Sequence, residues 1–490
     1  MTATSGADLP LSPRATATDR ALSPRGEHHG AVQPGMIRNA RRGRRRDVFM
    51  VLVLVLALVA VVVGAAVSAA RITESSAKVP AVTLLPTPAD LGRTTTATEA
   101  SLRQFWSARL PATYHRPFRD LRGGFQPKRP NSPPFYCGGQ RQTYRDIEGN
   151  AFYCPDRDYI AYDATLLFPR LDQTFGNVSP AIVLAHEMGH AIQNRAGVTA
   201  PSVVIELQAD CFAGSWLHWA QTSPDDPVTV ATPALDTAIA AMLTFRDQVG
   251  TPALAPQAHG LGFDRVNALQ TGYDQGTGAC ATFPAGNVVT TELPFTLADA
   301  LTGANAPYDQ AVPLFTGSLD RFWAGALPVV APGRQFAPPR KLLVPALPLP
   351  ACGTPGAYNV RAPIGYCPTS NVVTWADDRM RRAHELGDFV TGTLFSETWG
   401  RAAQYQGTLP VDGPKAALQR DCFTGAWVAT IAAGGPDALF TLSPGDIDEV
   451  LETIIASSIV PRTTAAQAGG AFERTDALRR GLLQGLAACH

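Results

Sequence analysis

Ser179-Pro180-Ala181-Ile182-Val183-Leu184-Ala185-His186-Glu187-Met188-Gly189-His190 is the stretch from which the fold and its chemistry are read. A hydroxyl residue followed by Pro at the first helical position starts a helix, and Gly197 stops it. His186 and His190 stand four apart, so both imidazoles leave one helix face about 5–6 Å apart at Cβ. That spacing lets two neutral nitrogens reach one Zn²⁺ at about 2.0–2.1 Å. Glu187 is rotated one position around, beside the metal but not on it, where it can take a proton from metal-bound water. The apolar run before His186 marks a buried helix, in which unpaired polar groups would be costly without a metal.

A zinc enzyme needs a third protein ligand and an open fourth position. The next helix, starting near Ser202, carries Glu206 and Asp210, again i and i+4 on one face. One would be the ligand, the other an acceptor that orients a ligand imidazole. An internal duplication decides between them. Leu207-Gln208-Ala209-Asp210-Cys211-Phe212-Ala213-Gly214-Ser215-Trp216 recurs as Leu418-Gln419-Arg420-Asp421-Cys422-Phe423-Thr424-Gly425-Ala426-Trp427. Phe105-Trp106, Tyr153-Cys154-Pro155, and the set Phe263, Arg265, Gly272 and Cys280 recur in the same order as Phe322-Trp323, Tyr366-Cys367-Pro368, and Phe472, Arg474, Gly481 and Cys489. In that register His186 becomes Ser396, His190 becomes Gly400 and Glu206 becomes Ala417, whereas Glu187 and Asp210 persist as Glu397 and Asp421. The positions that changed together are those a lost metal would release. Glu206 is therefore expected as the third ligand, Asp210 as the supporting carboxylate, and one Zn²⁺ in the first copy only.

His259 is matched by a position near Ala468, so it too is missing where the ligands are missing. It is a candidate donor to a developing oxyanion, with Tyr273 (Leu482 in the second copy) a weaker one. His384-Glu385-Leu386-Gly387-Asp388 looks like a damaged metal motif, but it lies 38 residues before Cys422, whereas His186 lies 25 before Cys211. Register rejects it. The eight cysteines contain no C-x-x-C pair, and their even number suggests four disulfides. Within each copy three pairings remain. The expectation is Cys137–Cys154 with Cys211–Cys280, and Cys352–Cys367 with Cys422–Cys489.

These residues together resemble the bacterial neutral zinc metallopeptidase family. The matching pieces are Cys137-Gly138, Phe152-Tyr153-Cys154-Pro155, Leu184 to His190, Glu206 to Gly214, His259-Gly260 and the Cys280 end. The resemblance implies a mostly helical α+β, zincin-like fold and membrane attachment. It also implies zinc on His186, His190 and Glu206, with Glu187 as the catalytic carboxylate. The second copy departs from the pattern by keeping the frame and cysteines without the ligands.

The 490 residues are 45% hydrophobic and 17% charged, which excludes a wholly disordered protein. Net charge is zero, which argues against a nucleic-acid partner. The charge is unevenly spread. Residues 1–47 carry nine Arg against four acids, leaving +5 there and −5 beyond. Residues 48–70 are 23 without a charge, enough for a helix to cross a hydrocarbon core of about 30 Å. With six Arg in 38–46, the positive-inside rule puts the N-terminus in the cytoplasm and 71–490 outside. A cleaved signal peptide ending near Val67-Ser68-Ala69 is the competing reading. The expected order is a disordered basic tail (1–47), a transmembrane helix (48–70), a Pro/Thr-rich linker (71–98), a zinc peptidase domain (99–283), a linker (284–315) and a degenerate copy (316–490). The expected function is a single-pass, membrane-anchored extracellular zinc metallopeptidase acting on a peptide or protein, its second domain in contact with the first. The alternative is a non-catalytic surface binding or scaffold protein with a structural zinc.

Overall fold

The computed structural model describes residues 88–489, apart from 225, 229, 253, 254, 256, 257, 355, 435–438 and 460–468. The described chain is mostly helical with three small sheets, an α+β architecture. The first half runs α1 (Pro88–Tyr114), β1 (Gly124–Lys128), β2 (Phe135–Cys137), β3 (Gln140–Gln142), the single turn α2 (Tyr144–Ile147), β4 (Ala151–Cys154) and β5 (Tyr159–Asp163). Helices α3 (Leu167–Phe175), α4 (Val178–Ala196), α5 (Ser202–Thr222), α6 (Thr232–Leu243) and α7 (Gly262–Cys280) follow. After the short α8 (Leu297–Thr302) the second half runs α9 (Tyr308–Val330), β6 (Arg340–Val344), β7 (Ile364–Cys367), β8 (Val372–Ala376) and α10 (Asp377–His384). It closes with α11 (Asp388–Gly407), α12 (Pro414–Ala432), α13 (Asp446–Ile459) and α14 (Ala471–Gln484).

Tyr-Ile-Ala-Tyr-Asp of β5 is buried at every position, as a central strand covered on both faces must be. It pairs parallel with β1 and antiparallel with β4. The Val-Val-Thr-Trp-Ala strand β8 is buried throughout in the same way, parallel to β6 and antiparallel to β7. Helices α5 and α7 cross backbone to backbone because two glycines allow it. A Cβ on Gly214 would collide with the Leu269 carbonyl, and one on Gly272 with the Cys211 carbonyl. Gly425 and Gly481 play the same part where α12 crosses α14. Each crossing is locked by a disulfide, Cys211–Cys280 and Cys422–Cys489, and each sheet region by another, Cys137–Cys154 and Cys352–Cys367.

One continuous hydrophobic core contains residues of both halves. Across the contact Gln270 Nε2 donates to Phe472 O (2.9 Å) and Thr475 Oγ1 (3.0 Å), and Tyr273 meets the Phe472 ring at 4.8 Å. Two carboxylates cap helices across it. Asp448 on α13 accepts from Gly262 and Phe263 at the start of α7, and Asp236 on α6 accepts from Phe472 at the start of α14.

Several sequence expectations are corrected. Among the described residues no helix is long and apolar enough to cross a membrane, so the transmembrane helix is withdrawn, and with it the single-pass topology and the cytoplasmic and extracellular sides assigned from it. Residues 48–70, on which that expectation fell, lie outside the described residues. The long apolar helices that are described bury polar side chains instead; α4 alone buries His186, Glu187 and Gln193. The linker 71–98 ends in helix, since α1 starts at Pro88 and buries Leu91, Thr95 and Thr98. Thr95 and Thr96 return their hydroxyls to the Gly92 carbonyl, which lets polar Thr residues sit in a helical turn. The linker 284–315 likewise holds α8 and the start of α9, where Tyr308 and Ala311 are buried. Ser179 is not the cap of α4. Its hydroxyl donates to Gly176 O (2.7 Å) and Leu171 O (3.0 Å), tying α4 to α3.

The N-termini of α11 and α13 bring together Asp388, Asp446 and Glu449. Burial and the neighbouring carboxylates push Asp446 up to about 8 and Glu449 up to about 9, and burial raises Asp388. A carboxyl whose folded value lies above its unfolded value of about 4 binds its proton more tightly in the folded state. Its stabilising contribution is complete below pH 4 and is lost as pH rises through 8 to 9. In metal-free buffer the melting temperature should therefore fall between pH 5 and pH 9. Glu449→Gln should flatten that dependence, as read by thermal melts across the range.

Candidate metal centre

Helix α4 reaches the site because Gly189 allows it close to α5; a Cβ there would stand 3.0 Å from Ala209 Cα. The helix ends where Gly197 adopts φ 71° and its N–H closes the last turn. With α4 and α5 at this distance, His186, His190 and Glu206 converge. His186 Nε2 and His190 Nε2 lie 3.1 Å apart, and Glu206 reaches them at 3.2 and 3.4 Å through its two oxygens. All three groups offer a ligand atom within 4.8 Å of one another. Two imidazoles and a carboxylate are the donor set zinc takes in hydrolytic sites. Glu187 is 7% exposed, and its Oε2 is buried without a hydrogen-bond partner. A partnerless carboxylate oxygen in the residue next to His186 fits a site built around a further polar group.

Each imidazole is held from behind, as metal-ligating histidines generally are. His186 Nδ1 meets Asp210 Oδ1 at 2.7 Å, and His190 Nδ1 meets Gln193 Oε1 at 2.8 Å. Gln193 is itself fixed, its Nε2 donating to Ile205 O (2.6 Å) and Gln208 Oε1 (3.1 Å). Asp210 is wholly buried and receives both arms of the Arg265 guanidinium, Nε to Oδ2 and Nη2 to Oδ1, at 2.8 Å each. Burial alone would raise Asp210, but Arg265 and His186 hold it below the usual carboxylate range. Burial would lower His186, yet Asp210 and Glu206 raise it to about 10 in the metal-free protein. Glu206 is depressed by the two histidines despite its own burial.

The structure does not bring every candidate to this cluster. The His259 imidazole is half exposed and lies 3.4 Å from Asp247, with no hydrogen bond to the three ligands. The amides of His259 and Gly260 also donate to Asp247, at 2.7 and 2.8 Å. Tyr273 bonds Gln221 and packs on His218 and Phe472. His384 Nε2 donates to the Ala306 carbonyl and its Nδ1 pairs with Thr391 Oγ1, outside the cluster. Gln193 and Arg265 are the functional residues that sequence reasoning missed. The persistence of Arg265 as Arg474 alongside Asp210 as Asp421 was the available signal for the second of them.

In the second half Ser396 Oγ and Thr424 Oγ1 share a hydrogen bond of 2.9 Å, and Gly400 and Ala417 offer no ligand atom. Arg420 packs over Gly400 and donates to Gln404 Oε1 at 2.7 Å. Arg474 grips Asp421 at 2.7 and 2.6 Å and also reaches Glu397 at 2.7 Å.

Comparison with known proteins places residues 130–283 under a family described as "Putative neutral zinc metallopeptidase", whose name implies Zn²⁺ and a metallopeptidase hydrolase. An uncharacterized protein of Mycobacterium tuberculosis is 31% identical over 169 residues, covering 29% of this chain and 57% of that protein. The uncharacterized protein YpfJ of Escherichia coli is 29% identical over 173 residues, covering 31% of this chain and 54% of its own. The chain thus spans little more than half the length of these relatives. No solved structure matches it.

Asp210 and Glu206 raise the His186 pKa in the metal-free protein, so zinc binding at Nε2 competes with a proton. Calorimetric titration at pH 7 in buffers of different ionisation enthalpy should read about one proton released per zinc bound. Asp210→Asn should lower zinc affinity by roughly 10–100-fold, measured by competition with a chromophoric chelator.

Proposed function

We propose that residues 99–283 form a zinc-dependent peptidase, with peptides or proteins as substrate, and that residues 316–490 are a degenerate copy of the same domain without zinc. The reading is carried by one observation. Two imidazoles and a carboxylate converge on one point, and the residue that follows His186, Glu187, keeps a buried oxygen without a partner. His186, His190 and Glu206 would hold a single Zn²⁺. Bound there, zinc supplies Lewis acidity, polarising a carbonyl and lowering the pKa of water.

The chain's own residues do the rest. Glu187 accepts the proton of the attacking water as the water oxygen bonds to the peptide carbonyl carbon. As the C–N bond breaks, Glu187 returns that proton to the leaving amine nitrogen. Asp210 and Gln193 hold the Nδ1 atoms, so that both Nε2 lone pairs stay turned toward the centre. Arg265 neutralises the buried Asp210 and keeps it in place. The degenerate-copy reading is supported by the matching order of strands, glycine-mediated crossings and disulfides in the two halves.

The test is hydrolysis of a diverse peptide library by the zinc-loaded protein, beside Glu187→Gln. The variant should keep stoichiometric zinc and lose hydrolysis by about 10²–10⁴-fold. Activity surviving in Glu187→Gln would sink the role given to that residue. Stoichiometric zinc with no hydrolysis in either protein would favour the binding or scaffold reading.

A further inference from the structure

Helix α7 carries Arg265, the residue that clamps Asp210 behind His186. Its start is not capped from within the first half. The residue at its N-cap is Leu261, which has no side-chain acceptor, so the first amides of α7 need a partner from elsewhere. That partner is Asp448 on α13 of the second half. Asp448 Oδ2 accepts from Gly262 N and Oδ1 from Phe263 N, each at 2.8 Å. The residue is 4% exposed. Gly262 is needed for this approach, since a Cβ there would meet Asp448 Oδ2 at 3.0 Å and Leu243 Cδ2 at 2.8 Å. Arg246 braces the arrangement from the first half, pairing with Glu452 and lying 3.8 Å from Asp448.

An unbroken set of short contacts therefore runs from the second half into the metal centre. Asp448 fixes the amides of Gly262 and Phe263. Arg265, one turn into α7, grips Asp210, and Asp210 holds His186 Nδ1. A carboxylate held on two helix amides by charge-assisted bonds fixes both the end of the helix and its rotation. Rotation of α7 about its axis would swing the Arg265 fork off Asp210.

We propose that Asp448 is a positioning residue of the first half's metal centre, so that the half without ligands completes the site of the half that has them. The proposal rests on reading His186, His190 and Glu206 as zinc ligands. It gives the second half a part in the chemistry without any ligand of its own.

The pseudo-symmetry of the molecule supplies its own control. Asp236 on α6 accepts from Phe472 N at 2.9 Å and caps α14, whose Arg474 holds Asp421 in the half without the histidines. Asp448→Asn and Asp236→Asn each turn an amide N–H of the new side chain toward a helix amide at the same contact between halves. Asp448 bonds the amides of α7 directly, whereas Asp236 meets α7 only at one remove, through Phe472 and Gln270.

The experiment measures zinc dissociation constants in the full chain by chelator competition, with thermal melts alongside. Asp448→Asn should weaken zinc binding by about 10-fold or more. Asp236→Asn should lower the melting temperature comparably while leaving zinc affinity within about 2-fold of the parent. Equal zinc affinities in the two variants would overturn the proposal, as would a lowered melting temperature in Asp448→Asn with zinc affinity unchanged. If Asp448→Asn does not fold, Asp448→Glu, which keeps the charge but moves it by one methylene, takes its place in the same comparison. A parent protein that binds no zinc would defeat the metal reading itself, an outcome distinct from a parent that binds zinc with both variants alike.

Discussion

The Asp210 carboxylate is wholly buried, and the architecture around the metal centre follows from what that burial requires. An ionised carboxylate taken out of water is prohibitively costly unless every oxygen is paired. Arg265 from α7 answers both oxygens, and His186 from α4 answers one of them a second time. Three helices are thus tied at one charged point. The glycine-mediated crossing of α5 and α7, closed by Cys211–Cys280, keeps Arg265 within reach. Removing Arg265 would leave the buried Asp210 carboxylate to His186 alone, with one oxygen unanswered.

The second half shows the same frame under different chemistry. Asp421 and Arg474 repeat the buried pair, but the residue facing them is Glu397, without a histidine. Burial and the nearby Glu397 carboxylate push Asp421 up to about 7 despite Arg474, whereas Asp210 is held below its ordinary value. The contrast has a plain electrostatic cause. Asp210 has two positively polarised partners, whereas Asp421 shares Arg474 with the Glu397 carboxylate and gains only a smaller offset from Arg420. Arg420 fills the space beside Gly400 where the first half has only Ala209, placing a fixed cation near the position the metal ligands would serve.

Much of the centre was legible in the residues. The four-residue spacing put His186 and His190 on one face of α4, because helix geometry leaves no other outcome. Comparing the repeated segments singled out Glu206 over Asp210, and the structure places Glu206 against both imidazoles with Asp210 behind one. What stayed hidden depended on contacts distant in sequence. Arg265 lies 55 residues from Asp210, and Asp448 lies 186 from Gly262; no local pattern announces either pairing. The stretches expected as linkers misled in the other direction. Burying Leu91 and Tyr308 against a core stabilises helix at Pro88–Tyr114 and Tyr308–Val330.

The sequence by itself determined which side chains share a helix face and which short segments recur along the chain. These are consequences of helical period and residue type, properties a chain carries without knowing its partners. Only the tertiary structure decided how the ligand histidines are held and how the two halves depend on each other. Hydrogen bonds between buried charges and helix ends form only after packing has excluded water. A carboxylate such as Asp448 finds its partners through the meeting of α13 with α7, which no stretch of sequence contains.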